Sequence, residues 1–374
     1  MNKWLKKVPF FPVIFAINTV LVLYLANYYS TSPNDGLRVL IIVLLSTIFT
    51  WLILQIIIKN VHKTAIILFI ILAVFCSFQN IVNLFRDVSA LFIDQSAASR
   101  FWASNRGQLV VGIFLFVTLV MVIFLVTRSK KFSPNLILYM NLVSIILLAF
   151  SLIQGINTVR KLKSINGQNR SNFSQYWQGE LKADRSTIKG KTDQSPDIYY
   201  IILDGFARSD ILQKLYGYDN SDFLQGLEER GFYVASQSYA NYSQTRLSLA
   251  SSMNLTYLDD LVKYSGEDKS NPLPAQLIIQ NSLVEQRFRD MGYELVGYKS
   301  DISFTNFTDW DLFFTLEQRF NGFALNYINS TLISVILNPQ IYEWHRQGIN
   351  FVLESLPDIS DRDGKQFIFA HILC

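Results

Sequence analysis

The sequence predicts two joined parts. A five-helix transmembrane domain comes first, followed by an α/β extracytoplasmic domain of the αβα sandwich type with a mainly parallel sheet, incomplete at its carboxyl end. Three observations predict this. Apolar runs of about 20 residues, the length a helix needs to cross ~30 Å of hydrocarbon, recur up to Ile156. Past a polar stretch, short apolar runs alternate with segments of helical period, as in a parallel sheet covered by helices. The first of those runs, "IYYIILDG", ends on an Asp-Gly pair, at the strand end where such sheets present ligands.

The five spans are read as roughly Pro9–Ala26, Val39–Ile58, Ala65–Phe85, Leu109–Val126 and Leu136–Ile156, giving a transmembrane domain over residues 1–156. Lys3, Lys6 and Lys7 precede the first, which is taken as a retained helix because no small-residue cleavage site follows it. Short basic loops belong in the cytoplasm, and the amino terminus, Lys59–Lys63 and Arg128–Lys131 are the densest. The amino terminus is therefore expected inside, and an odd number of spans puts everything past Ile156 outside a cell membrane crossed several times. No span carries an ionisable residue near its centre, which argues against an ion pump or channel. The net charge of +4 is spread without a basic face, so no nucleic-acid partner is expected. The two cysteines, Cys76 and Cys374, give no disulfide within the second half. The expected partners are the lipid bilayer and an envelope lipid or polymer substrate.

Residues 157–195 read as a polar linker, with a short helix around Ser174–Leu181. From Pro196 the pattern gives strands at Ile198–Leu203, Phe232–Ser236, Tyr293–Tyr298 and Gln366–Leu373, expected to run parallel in one sheet. Helices are expected at Ser221–Arg230, stopped by Gly231, and at Leu247–Met253. A long one over Pro274–Met291 is stopped by Gly292, and the last covers Ile341–Leu356. The unbroken apolar run of Ile198–Leu203 suggests a strand buried on both faces.

Asp204 stands at the carboxyl end of the first strand, and Gly205 lets the chain turn tightly past a ligand. A carboxylate there suits a hard divalent cation, although the strand alone leaves open that Asp204 only caps the next turn. In "ANYSQTRLSLASSMN" Thr245 opens a helix-like run, where backbone N–H groups and the dipole favour an anion. A hydroxyl so placed beside a metal is a candidate nucleophile toward phosphorus or sulfur. Ser248 falls one turn later, and Asn241 and Arg246 are candidates for holding an anionic oxygen. The competing reading of the segment alone is a Ser/Thr-rich helix cap.

The strand ending in Asp204-Gly205, then "FLQGLEERGFYVASQSYANYSQT" leading to a Thr-x-x-Ser at a helix start, resembles the alkaline phosphatase superfamily, closest to its sulfatase-like branch. Five spans followed by an external catalytic domain is similar to the architecture of lipoteichoic acid synthases and lipid A phosphoethanolamine transferases. The resemblance covers about Pro196 to Leu373, with the membrane half matched in architecture only. It implies that Asp204 and Thr245 hold a divalent metal ion (manganese, magnesium or zinc) and that Thr245 carries the transferred group. It implies a membrane-bound hydrolase or phospho-group transferase acting on envelope phosphate or sulfate esters. Members of the family carry further ligands later in the chain, an Asp-His pair and a substrate-binding His. No Asp-His dipeptide occurs here, and "KQFIFAHILC" ends where a Pro-His pair usually follows. The chain is therefore expected to be truncated, with half a metal site and no activity; the alternative is a dead membrane fragment or a module binding envelope polymers. His345 is expected on the surface and His371 in a structural role.

Overall fold

The computed structural model describes residues 7–129, 134–164, 195–261, 272–316 and 320–373. It divides into two compact units: Met1–Gly167 with Gln318–Trp344, and Gln168–Glu317 with His345–Cys374. The helix expected at Ser174–Leu181 lies outside the described residues.

In the first unit, helices occupy every stretch read as a span. They are α1 (Phe11–Ala26), α2 (Pro33–Ile58), α3 (Val61–Cys76) continued by α4 (Phe78–Ser89), α6 (Asn105–Arg128) and α7 (Pro134–Ser164), with a short α5 (Gln95–Ala103) before α6. Their starts are written locally: Ser32, Asn60 and Ser104 each accept a hydrogen bond from a first-turn backbone N–H of α2, α3 and α6. Among the described residues three helices are long and apolar enough to cross a membrane, or four if the bent pair of α3 and α4 counts as one, where the sequence predicts five. At 16 residues α1 falls short of a crossing length. The span read as Ala65–Phe85 is broken at Ser77, with a bend of 58°. The reason lies in α4: Gln79, Asn83, Arg86 and Asp87 give it a polar side opposite the buried Phe78 and Val82. A helix with one polar face is not solvated by hydrocarbon all round. The fully buried Asn141 of α7 ties down α1, its Oδ1 accepting from the Phe10 and Phe11 N–H groups and its Nδ2 donating to Val8 O.

The chain re-enters this unit late, through α13 (Gly322–Ser330), whose Phe323 and Tyr327 pack with Val20 and Val39. The division between units falls within α14 (Ser334–Ile359), longer at both ends than the helix read from Ile341 to Leu356.

The second unit is built on a small, wholly parallel sheet of β1 (Ile198–Asp204), β2 (Glu294–Tyr298), β3 (Leu312–Phe314) and β4 (Gln366–Leu373), in the order β1-β4-β2-β3. Its helices before β2 are α8 (Ser209–Tyr216), α9 (Ser221–Glu228), α10 (Thr245–Ser252), α11 (Leu273–Gln280) and α12 (Leu283–Asp290). Alternate strand residues separate into two cores. Leu295, Phe367 and Phe369 pack with Leu249 of α10, Met253 just past its end and Ile278 of α11, whereas Val296, Ile368 and Ala370 pack with Val352 and Leu356 of α14.

Three expectations about this unit are corrected. Phe232–Ser236 is not a strand: the Phe232 N–H turns back to Leu227 O behind Gly231 at φ +84°, closing α9, and Tyr233 is 92% exposed. The three residues of β3 pair with β2 instead. The strand buried on both faces is β4, in the middle of the sheet; β1 lies at its edge, with Tyr199 and Ile201 38% and 43% exposed. The long helix read over Pro274–Met291 is two, because the Ser282 side chain accepts from Glu285 N–H and caps a new start at Leu283.

Candidate active site

The apolar run of β1 carries Asp204 to the end of the strand, and Gly205 at φ +83° turns the chain away, with the Phe206 N–H closing on Leu203 O. A side chain at Gly205 would meet no atom, so the positive φ is what favours glycine there. On the same face of the sheet, α10 starts at Thr245 behind Gln244, which makes no side-chain cap. The Thr245 Oγ1 donates to Asp204 Oδ2 over 3.3 Å, so the strand end and the helix start, 41 residues apart, meet.

A third group joins them. His371 of β4 is 3% exposed, and its Nε2 lies 3.3 Å from the same Asp204 Oδ2. The two side chains are within ion-pair distance, and against the larger effect of burial Asp204 pulls the imidazole pKa up. The other ring nitrogen, Nδ1, lies 3.2 Å from Thr305 Oγ1 and 3.4 Å from Ser300 Oγ. Thr305 gives its own proton to Ile302 O and can accept from Nδ1, whereas Ser300 accepts from the Ile302 N–H and can donate to it, so the two hydroxyls serve either tautomer. Burial pushes the imidazole pKa down, against the pull of Asp204, and keeps the ring neutral.

A carboxylate, a hydroxyl and an imidazole are residue types that could hold a divalent ion. The Asp204–His371 and Asp204–Thr245 separations are both 3.3 Å. Among the described residues no group of three or more His, Cys, Asp and Glu side chains is gathered.

The other residues singled out from the sequence have different surroundings. The side chain of Asn241, an exposed residue, donates to Oγ of the buried Ser251 at 3.1 Å. Arg246 lies over the Phe304 ring, 5.0 Å from its centroid, with a buried Nε that has no partner; burial also pulls its pKa down. Ser248 sits one turn beyond Thr245 in α10, and its backbone N–H closes the first turn on Gln244 O. His345 is half-exposed and pairs with Asp301 over 2.8 Å.

The expectation that His371 is merely structural misses its position beside Asp204. Strand alternation carries half the signal, since positions 367, 369, 371 and 373 share one face. The other half is the register, in which His371 is the partner of Ile202, two residues before Asp204. That pairing is not readable from either strand alone. Searches of protein-family models, curated proteins and solved structures gave no match to this chain.

Proposed function

We propose that this chain is a membrane-bound, sulfatase-like hydrolase or phospho-group transferase acting on phosphate or sulfate esters of the cell envelope through Thr245. The observation that carries the reading is the meeting of the Thr245 hydroxyl, the Asp204 carboxylate and the buried His371 ring at one strand end. The wider reading has five crossings, a cytoplasmic amino terminus and an external αβα catalytic domain. It is supported by helices at all five expected places and by apolar cores on both faces of the parallel sheet.

A divalent ion held by Asp204, Thr245 and His371 would lower the pKa of the Thr245 hydroxyl and offset charge on the reacting ester. An imidazole nitrogen in the set favours zinc or manganese over magnesium. Asp204 accepts the Thr245 hydrogen bond and so aims the oxygen. The orphan N–H groups at the start of α10 and the Arg246 guanidinium suit the ester's anionic oxygens. Thr245 Oγ1 forms a bond to phosphorus or sulfur as the ester oxygen leaves as an alcohol, taking up a proton. Water or an acceptor alcohol then displaces Thr245 and restores its hydroxyl.

A tight site uses three or four protein ligands, so metal binding is the first readout. Manganese titrated against the purified protein, followed by the electron spin resonance of the free ion, is expected to show one weak site. Asp204→Asn and His371→Gln each remove it. Mass spectrometry after incubation with an aryl phosphate, a phosphodiester and an aryl sulfate looks for an adduct on Thr245. Manganese binding that survives both Asp204→Asn and Thr245→Ala overturns the proposal.

A further inference from the structure

Within the first unit, α2, α3 and α13 enclose a cavity of about 400 Å³, in the roughly 300–1,000 Å³ range of small-molecule sites. Val39, Ile42 and Val43 of α2, Leu68 and Leu72 of α3, and Ala324 of α13 line it. Most hydroxyls on its border have partners inside the protein. Thr47 donates to Val43 O, Thr50 to Ser46 O and Thr331 to Ile328 O, while the Tyr327 hydroxyl lies against Thr19 and Cys76. An occupant therefore meets hydrocarbon and little that asks for a hydrogen bond. The setting identifies it further. In the apolar window of α2, a helix of membrane-crossing length, only 6% of residues are buried, and Ile42 on the cavity wall is 62% exposed. The cavity thus opens on the flank of a helix whose solvent is lipid tails.

We infer that this cavity binds a single acyl chain of a membrane lipid, with α13 as its third wall. The inference rests on the membrane reading of the helices and is independent of the chemistry proposed at Asp204. It also fixes a depth. The α13 residues Phe323 and Tyr327 pack on Val20 and Tyr24 late in α1 and on Val39 and Val43 early in α2. The basic residues gather at the other ends of those helices, where His62 meets Lys7 O and Lys63 meets Thr127 O. The bound chain belongs to the leaflet away from the basic loops.

The test reconstitutes the full chain in nanodiscs of phosphatidylglycerol doped with an analogue carrying a photoreactive diazirine on one acyl chain, and maps adducts by peptide mass spectrometry. Adducts concentrated on residues 39–50, 68–76 and 324–333, and reduced by excess unlabelled lipid, are expected. Ala324→Trp, which fills the cavity, lowers them by roughly tenfold, whereas Val117→Trp on the exposed side of α6 leaves them unchanged. Thr331→Phe replaces Ala324→Trp if that variant does not fold. Labelling spread evenly over all exposed helix faces, labelling indifferent to both filling variants, or crosslinks joining two copies through this cavity overturns the inference. None of these outcomes bears on manganese binding at Asp204, so the two proposals fail separately.

Discussion

The side-chain amide of Asn254, 1% exposed just past the end of α10, donates to Ala250 O at 2.8 Å and to Ile278 O at 2.9 Å and accepts from the Leu283 N–H at 3.0 Å. One residue thus joins α10, α11 and the start of α12, and no apolar replacement can return those bonds. Asn254→Leu is expected to destabilise the protein by about 2–4 kcal/mol, because a buried donor and acceptors lose their partner together; urea unfolding monitored by tryptophan fluorescence reads the change. Asp204 and Thr245 were legible in the sequence at this same scale, since a carboxylate at a strand end and a hydroxyl at a helix start are local patterns. His371 was not. Its part depends on the β1–β4 register and on hydroxyls at Ser300 and Thr305, some 70 residues back along the chain.

Among the elements, helix and strand types follow the sequence where the signal is local, and depart where pairing decides. The capping sequence Ser282-Leu283-Val284-Glu285 overrides the helical period on either side and starts α12 afresh. Ser282→Ala is expected to cost about 1 kcal/mol and to raise amide exchange in the first turn of α12 while leaving α11 unchanged, which hydrogen exchange with mass spectrometry resolves. Ile198–Leu203 and Gln366–Leu373 look alike as apolar runs, yet one is an edge strand and the other is central. The run at Phe232–Ser236 has strand composition, but the closing turn of α9 takes its first N–H, and the short Leu312–Phe314 occupies the edge beside β2.

For the whole molecule, the grouping of Lys7, His62, Lys63 and the carboxyl end of α6 at one end of the first unit agrees with the cytoplasmic side assigned to the basic loops. A phosphatase-type reporter fused after Ser195 is therefore expected to be active and one fused after Lys131 silent; the reverse pattern rejects the orientation and the envelope role together. The sequence by itself determined where the apolar helices of the first unit lie, that several suit a membrane, and that Asp204 and Thr245 stand at a strand end and a helix start. Hydrophobic length, period and capping are properties of neighbouring residues, and each is readable without knowing what it packs against. The tertiary structure alone decided the strand order, the half-exposed edge at β1, the return of α13 to the first unit and the placing of His371 against Asp204. Those features depend on register and packing between residues tens to hundreds of positions apart, and nothing in a local pattern fixes which distant surface a given face will meet.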